Sequence, residues 1–378
     1  MNKSFRSFAL SAVLYLFAAS SLAGQSAPTN NLTKTQEHSE DRGLLLGMYF
    51  PVDGSWDYLQ SGTWVPEISG EPHGQYLTLW VSKTGDSVKV QAVKGLLVPR
   101  GDGFWLIGSQ IVKSAHEPEA NYDEQFWAEP VSNQPAISGS DPSIDGRSVR
   151  LLTYVGTDYI SYFFHWQGGA GDWEYVYPRV AAIDALEKDK TVEQVLGPTM
   201  SATYKRLAKS LDHMDEQPTE EPCSCCSGSE DQWGMIHVGD HWQAFARFQY
   251  GTSSACAQSS TDRVLATSLP RRFASSGTLD RPWKALRTEV EAVLKTAPDS
   301  VRHLFVSPKQ DLLVAVGTYG VAVVRVENLH AQSVLKIQEF DAPCIPVMEQ
   351  WSLGRFVSGW DTVIQKQNPA QIPTAEKP

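Results

Sequence analysis

Cysteine and histidine cluster within one short stretch of this sequence, and both can do chemistry. Cys223, Cys225 and Cys226 stand close together, and His237 and His241 follow at a spacing of i and i+4. Thiolates and imidazoles at such short spacings can ligate Zn²⁺, although zinc sites usually space their cysteines two to four residues apart. One hypothesis is therefore a metal site formed by these five residues.

The same cysteines favour a disulfide if the chain is exported, because oxidising compartments stabilise disulfides. The chain has five cysteines, an odd number, so at least one thiol is left over or bonds another molecule. Cys256 lies 30 residues after Cys226, beyond a predicted hairpin. We expect one member of the cluster Cys223, Cys225 and Cys226 to bond Cys256, and the sequence leaves open which one. No cofactor is predicted.

Aromatic residues concentrate in one segment of the chain. Nine of the 24 residues from Tyr154 to Tyr177 are aromatic, against 10% of the whole sequence. Strand alternation gives each face of this segment its own set of rings, and one face could bind a glycan or peptide by stacking. The alternative is that both faces are buried in the core. The predicted binding platform consists of Tyr159, Trp166, Trp173 and Tyr175.

A catalytic signature is not evident in the sequence. The Gly-x-Ser-x-Gly nucleophile motif does not occur. Carboxylate pairs such as Asp123/Glu124 and Asp172/Glu174 could serve glycoside hydrolysis, but nothing in the sequence brings two carboxylates to the required separation. The sequence therefore favours a non-catalytic protein, and a hydrolase with dispersed catalytic residues is the alternative.

Short apolar runs separated by Gly, Pro and Asp predict mostly antiparallel strands. Turn residues at Pro99–Gly103, Gly156–Asp158 and Val238–His241 predict three hairpins. Apolar runs from Arg302 to Phe340 predict four further strands. This last segment also resembles one blade of a β-propeller, but a propeller needs at least about four such blades. We therefore expect an α+β fold, predominantly antiparallel β with interspersed helices, and keep a β-propeller-like fold as the alternative.

Three segments have the apolar spacing or composition of helices. They are Val180–Leu196, Ala202–Met214 and Pro282–Ala297. The third has the clearest helical periodicity, because its apolar residues recur at three- and four-residue intervals. Helices at these places would interrupt the run of predicted strands.

The N-terminus has the layout of a secretory signal peptide. Lys3 and Arg6 precede the apolar run Phe8–Ala19, and small residues lead to a cleavage site after Ala23, with Ala27 as the second choice. The formal charge is −11, and cleavage would make the mature chain more acidic by removing Lys3 and Arg6. An acidic chain is a poor match for nucleic acid. We expect a periplasmic or secreted protein with no membrane span after signal cleavage.

Composition shifts divide the rest of the chain into segments. Between two predicted β-rich α+β domains lies an acidic loop that contains the cysteine cluster. The predicted segments are a signal peptide (1–23), a flexible leader (24–42), a first domain (43–214), the loop (215–230), a second domain (231–366) and a disordered tail (367–378).

Two segments resemble known bacterial proteins. Residues 150–212 resemble the extracytoplasmic domain of RsiV-like anti-sigma factors in Leu151–Tyr162, in the pair Gly168-Gly169 and in Val192–Leu211. The resemblance implies a mixed α+β extracytoplasmic domain without an evident catalytic centre. The segment Trp233–Ala342 is similar in layout to uncharacterised secreted proteins of Gram-negative bacteria. Neither resemblance assigns catalytic residues.

These observations together predict an exported, non-catalytic protein of the bacterial envelope. Its partner would be a protein or a cell-wall glycan, bound at the aromatic segment. The alternatives are an extracytoplasmic hydrolase and a metal-binding protein at the cysteine and histidine cluster.

Overall fold

The computed structural model describes most of the chain between residues 41 and 370. The described residues are 41–51, 74–101, 103–116, 121–131, 140–141, 146–167, 174–212, 230, 232–250, 259–266, 269–270, 273, 282–297, 299–367 and 369–370. The predicted signal peptide and most of the predicted leader lie outside them, as do Cys223, Cys225, Cys226 and Cys256.

Nineteen strands form the greater part of the described residues. Twelve of them belong to one large sheet: β1 (Arg42–Pro51), β2 (Gly74–Thr84), β3 (Ser87–Lys94), β4 (Leu96–Arg100), β5 (Gly103–Ser114), β6 (Tyr122–Pro130), β7 (Ser140–Asp141), β8 (Arg147–Val155), β9 (Tyr159–Gln167), β10 (Glu174–Ala182), β11 (Ala185–Asp189) and β19 (Ile345–Leu353).

The other seven strands form two smaller sheets. The three-stranded sheet consists of β12 (Trp233–Val238), β13 (His241–Tyr250) and β14 (Ser259–Val264). The four-stranded sheet consists of β15 (Val301–Val306), β16 (Leu312–Gly317), β17 (Gly320–Glu327) and β18 (His330–Glu339). In the part of the chain that the structure describes, four helices accompany the sheets: α1 (Val192–Leu196), α2 (Pro198–Asp212), α3 (Trp283–Leu294) and α4 (Arg355–Ile364).

The large sheet joins the two halves of the chain. Its main path runs β11-β10-β9-β8-β19-β1-β2-β3, and β6 is attached to the side of β8. Strand β19 comes from the second predicted domain, yet it pairs antiparallel with β1 and meets β8 in parallel at Met348 and Val155. The two predicted domains therefore share one sheet.

Strands β1 and β2 are buried on both faces, because a different layer covers each face. Leu44 and Leu46 pack against the four-stranded sheet, whereas Leu45 lies in the core on the other face with Leu97 and Phe163. A strand buried on both faces has a nearly continuous apolar sequence rather than an alternating one. This explains the uninterrupted apolar run in β1.

The fold is mostly β, and its sheets are mostly antiparallel. The three predicted hairpins are confirmed as the pairs β4–β5, β8–β9 and β12–β13, and the predicted four-strand run is the four-stranded sheet. The described strands do not form repeated propeller blades. Within the described ranges, no helix is both long and apolar enough to span a membrane.

The helix predicted over Val180–Leu196 is wrong for most of its length. The segment instead contains the end of β10, all of β11 and the short helix α1. Val180 and Ala181 pair with Ser161 and Ile160 of β9, and both are fully buried. Pairing with the edge of β9 outweighs a local helix propensity worth only about 0.7 kcal/mol per residue or less.

The other two helix predictions hold with shifted ends, as α2 and α3. Sequence reasoning missed α4, which follows β19. The beginning of the predicted tail is ordered against β3, because Val93 bridges Pro369 and Ala370 N–H donates to the Ala92 carbonyl at 3.0 Å.

A bidentate ion pair ties β1 to the turn between β15 and β16. Arg42 Nη2 lies 2.7 Å from Asp311 Oδ2, and Arg42 Nε donates to Asp311 Oδ1 at 3.1 Å. Burial alone would raise the pKa of Asp311, but hydrogen bonds from Arg42 and Ser307 outweigh burial and lower that pKa below its ordinary value. The ionised carboxylate therefore stabilises the fold.

The substitution Asp311→Asn should lower the unfolding free energy by about 1–2 kcal/mol at neutral pH. Arg42 would be left buried beside a neutral amide, while the partial exposure of Asp311 limits the effect. The difference from wild type should shrink as pH falls through the lowered pKa, because protonation removes the pair in wild type too. Urea denaturation at several pH values measures this difference in unfolding free energy. The control is Asp86→Asn, which changes a fully exposed carboxylate. Equal stability of both variants would contradict the prediction.

Candidate functional site

A row of side chains crosses strands β8, β9 and β10 on one face of the large sheet. The backbone register places Arg150 beside Phe164, Phe164 beside Tyr177, and Tyr162 beside Arg179. Alternating side chains of a strand point to opposite faces, so these five residues share a face. The neighbouring Phe163 points to the other face, where it is fully buried. Two arginines and three aromatic rings are thereby brought together.

One side of this row is open because β6 separates from β8 after two paired residues. Tyr122 pairs with Arg147 and Asp123 with Ser148. Beyond them the Glu124 carboxylate, through Oε2, accepts the Arg150 backbone N–H at 2.9 Å. The Glu124 side chain thus accepts the Arg150 N–H where the pairing between β6 and β8 ends. Buried N–H groups require such an acceptor.

Glu124 itself is buried and does not line the opening. Its exposed fraction is 7%. Burial raises the pKa of Glu124, and hydrogen bonds from Arg150 N–H and the Ser109 side chain offset only part of this rise. Glu124 is a structural support for the strand that carries Arg150.

Each arginine of the row is held by a carboxylate and by an aromatic ring. Arg150 Nη1 lies 2.6 Å from Asp123 Oδ1, and its guanidinium lies 5.1 Å from the centre of the Phe164 ring. Ser148 Oγ donates to the same Asp123 oxygen. Charge-assisted hydrogen bonds and cation–π contact together restrict the guanidinium to one orientation.

The second arginine repeats this arrangement with different residues. Arg179 Nη1 lies 2.7 Å from Asp189 Oδ2, and its guanidinium lies 4.5 Å from the centre of the Tyr177 ring. Tyr162 donates its hydroxyl proton to Asp189 Oδ1 at 3.1 Å. Burial raises the pKa of Tyr162 well above its ordinary value, so the hydroxyl remains a donor at neutral pH.

These residues surround a cleft of about 500 Å³. Strand β6 forms one wall, β11 forms the other, and the row on β8–β10 forms the floor. The volume lies within the range of about 300–1,000 Å³ typical of small-ligand sites. The cleft is lined by Asp123, Gln125, Phe126, Arg150, Tyr162, Phe164, Arg179, Leu186, Glu187 and Asp189.

Of the predicted platform residues, the two whose side chains the structure describes, Tyr159 and Trp166, do not line this cleft. Tyr159 is half-buried and its ring lies 6.1 Å from that of Phe273, in a different core. Trp166 is half-buried and pairs with Tyr175 in backbone register, one pair beyond the Phe164–Tyr177 pair. Trp173 and the side chain of Tyr175 lie outside the described residues. The aromatic lining of the cleft comes from Phe126, Tyr162 and Phe164.

The structure brings His237 to a different partner from the predicted one. His237 Nδ1 lies 3.0 Å from Nδ1 of His303, whereas His241 Nδ1 lies 2.9 Å from Asp240 Oδ1. Within the ranges that the structure covers, no group of three or more metal-ligating side chains comes together. The three predicted cysteine ligands lie outside those ranges. Cys344 is buried and forms no disulfide.

Sequence reasoning missed Arg150, Arg179 and Asp189 as site residues. The alternation of β8 and β10 could have placed the two arginines on the aromatic face, but Asp189 fell within the predicted helix. No family model, curated protein or solved structure matches this chain.

Proposed function

We propose that this chain is an exported, non-catalytic protein that binds a partner of the bacterial envelope in the cleft between β6 and β11. The partner would be a protein or a cell-wall glycan. The observation that carries the proposal is that Arg150 and Arg179 are each held by a carboxylate and stacked on an aromatic ring beside an open cleft.

Preorganisation of this kind favours binding, because side chains already fixed lose little further entropy when a ligand arrives. The two ion pairs are partly exposed and contribute little to stability on their own. Conformational restriction of two arginines at a concave surface is therefore better explained by recognition than by folding.

Hydrolysis is supported less well by the same geometry. A glycoside hydrolase needs a general acid whose pKa is raised and which reaches the substrate. The acid whose pKa is raised beside this cleft is Glu124, which is buried and not part of the lining. Asp123 and Asp189 each accept hydrogen bonds from an arginine. This arrangement supports a binding role.

Binding to isolated envelope fragments from a Gram-negative bacterium tests the proposal. The wild-type protein should sediment with the fragments, and Arg179→Ala should weaken binding by about tenfold or more, because a buried or interface arginine contact is worth about 1.4 kcal/mol or more. The control is Tyr319→Ala, at a residue that is 58% exposed in the turn between β16 and β17.

Protease or glycan-hydrolase treatment of the fragments then identifies the class of partner. If wild type, Arg179→Ala and Tyr319→Ala sediment equally with the fragments, the cleft is not the binding site. Release of sugars by wild type, lost in Arg179→Ala, would support the hydrolase instead.

A further inference from the structure

We infer that the cleft between β6 and β11 recognises an uncharged saccharide. The inference rests on the proposed function and adds the chemical class of the ligand. Three properties of the cleft point to it: its charge balance, the arrangement of its polar atoms and its aromatic surfaces.

The arginines of the cleft are already neutralised. Arg150 and Arg179 are paired with Asp123 and Asp189 at 2.6 and 2.7 Å, and Glu187 on the rim adds a further negative charge. An anionic ligand would have to displace a carboxylate from an arginine and approach Glu187. Anion sites instead leave arginine forks open to the ligand. The cleft therefore disfavours acidic glycans.

A cationic ligand meets a similar obstacle. Asp123 and Asp189 each accept from an arginine, and further donors bind them: Ser148 and Gln125 for Asp123, and Tyr162 for Asp189. The arginine beside each carboxylate balances its charge, so an ammonium group would meet little net negative charge and would approach a guanidinium. The rim carboxylate Glu187 is too exposed to bind a cation strongly.

Sugar hydroxyls fit this network because each can donate and accept. A hydroxyl placed beside an arginine–carboxylate pair can accept from the guanidinium and donate to the carboxylate without breaking the pair. Arg150–Asp123 and Arg179–Asp189 provide two such positions on opposite sides of the floor. The donors and acceptors that a saccharide needs are therefore fixed before it binds.

The aromatic rings supply the complementary apolar surface. Phe126 and Tyr162 meet edge to face at 5.3 Å, and Phe164 is half-buried on the floor. Ring faces carry negative charge density, which attracts the C–H faces of a pyranose ring. A concave site with so many charged residues is unlike the apolar centre of a protein interface. These properties favour a saccharide over a protein partner.

Calorimetric titration with a panel of tetrasaccharides tests the inference on the purified protein. The panel contains neutral glucose and N-acetylglucosamine oligomers, the deacetylated cationic form of the latter, and an anionic uronic acid oligomer. We expect a neutral member to bind about tenfold more tightly than either charged one. Its Kd should be nearly independent of salt, because screening acts on ligand charge.

Two conservative variants link binding to the cleft. Arg179→Lys keeps the charge but loses the planar fork, and Phe164→Leu keeps apolar volume but removes the ring against which Arg150 packs. Each should weaken binding of the neutral saccharide by about fivefold to tenfold. Tyr319→Ala should bind like wild type, and circular dichroism confirms that each variant is folded.

The failure of this inference and that of the proposed function give different results. Tighter, salt-sensitive binding of a charged saccharide would overturn the inference and retain the cleft as the site. If no saccharide binds but envelope binding still depends on Arg179 and is abolished by protease, the ligand is a protein and the inference is wrong. If Arg179→Ala keeps both saccharide binding and binding to envelope fragments, the proposed function itself is wrong.

Discussion

Acidification from pH 6.5 to about pH 4 should lower the stability of the protein by about 3 kcal/mol through His303, which is buried against His237. The two Nδ1 atoms lie 3.0 Å apart. One ring donates a proton from Nδ1 and the other accepts it, so the hydrogen bond is lost when both rings are protonated. The pair joins β12 to β15 and thereby links the three-stranded sheet to the four-stranded sheet.

The surroundings of the pair oppose any added charge. Both histidines are less than 5% exposed, and His237 lies 4.3 Å from the Phe305 ring and 5.0 Å from the Trp242 ring, centre to centre. Burial lowers the pKa of His237, and the neighbouring His303 and His241 lower it further. Burial, with the charge of Arg302, lowers the pKa of His303 from 6.5 to about 3.

The sign of the effect follows from proton linkage. Below pH 6.5 the unfolded chain binds a proton at His303 while the folded protein does not. Acid therefore favours the unfolded state by about 1.4 kcal/mol per pH unit until the folded pKa is reached. Above pH 6.5 the pair no longer makes stability depend on pH.

Urea denaturation at a series of pH values measures this effect. Wild type should lose stability more steeply below pH 6.5 than the double variant His237→Gln/His303→Gln, whose side chains do not titrate. Other acid-sensitive groups act equally on both proteins. The control is His330→Gln, at a side chain that is 60% exposed, and it should parallel wild type. Parallel curves for wild type and the double variant would contradict the prediction.

Removal of the Glu349 carboxylate should destabilise the protein by about 3–5 kcal/mol. Glu349 is 2% exposed and accepts two indole N–H bonds, from Trp242 at 3.1 Å and from Trp351 at 2.8 Å. Trp242 belongs to the three-stranded sheet, whereas Glu349 and Trp351 belong to β19. The carboxylate therefore fastens the three-stranded sheet to the large sheet.

The effect is large because two buried donors lose their acceptor together. In Glu349→Leu both indole N–H groups would remain buried without a partner, and each such group is worth about 1–3 kcal/mol. Glu349→Gln should lose less, since the amide oxygen still accepts from one indole. Replacement of an exposed acid on β18, as in Glu339→Ala, should leave stability nearly unchanged.

A double-mutant cycle separates the hydrogen bond from the loss of charge. Glu349→Leu and Trp242→Phe should be less destabilising together than the sum of their separate effects, by about 1 kcal/mol or more. Thermal and urea unfolding of the four proteins provide the comparison. Strict additivity, or a Glu349→Leu protein as stable as wild type, would show that the carboxylate does not hold the two sheets together.

Hairpins and the four-stranded sheet are the parts of this fold that could be predicted from the sequence. Pro99–Gly103 and Gly156–Asp158 have the residues that tight turns require, and short apolar runs flank them. These features act between neighbours in the chain, so local sequence contains the necessary information. The aromatic concentration near the cleft was visible for the same reason.

Tertiary structure decided the remaining elements. The segment from Val180 to Asp189 contains Ala, Leu, Glu and Lys, which favour a helix locally, yet β10 and β11 extend the sheet beside β9. Strand β19 lies between β1 and β8, hundreds of residues away in sequence. Pairings of that separation depend on which edges are open after the rest of the sheet has formed, and no local pattern records them.

The sequence by itself determined a mostly β protein with a signal-peptide pattern and an aromatic segment. Only the tertiary structure placed Asp123 against Arg150, Asp189 against Arg179, and His237 against His303. Such contacts join charged or titratable side chains from different strands, and side-chain type alone does not indicate the partner. The cleft exists because β6 separates from β8 and because β11 folds back against β10. Both features are consequences of strand packing rather than of any sequence motif.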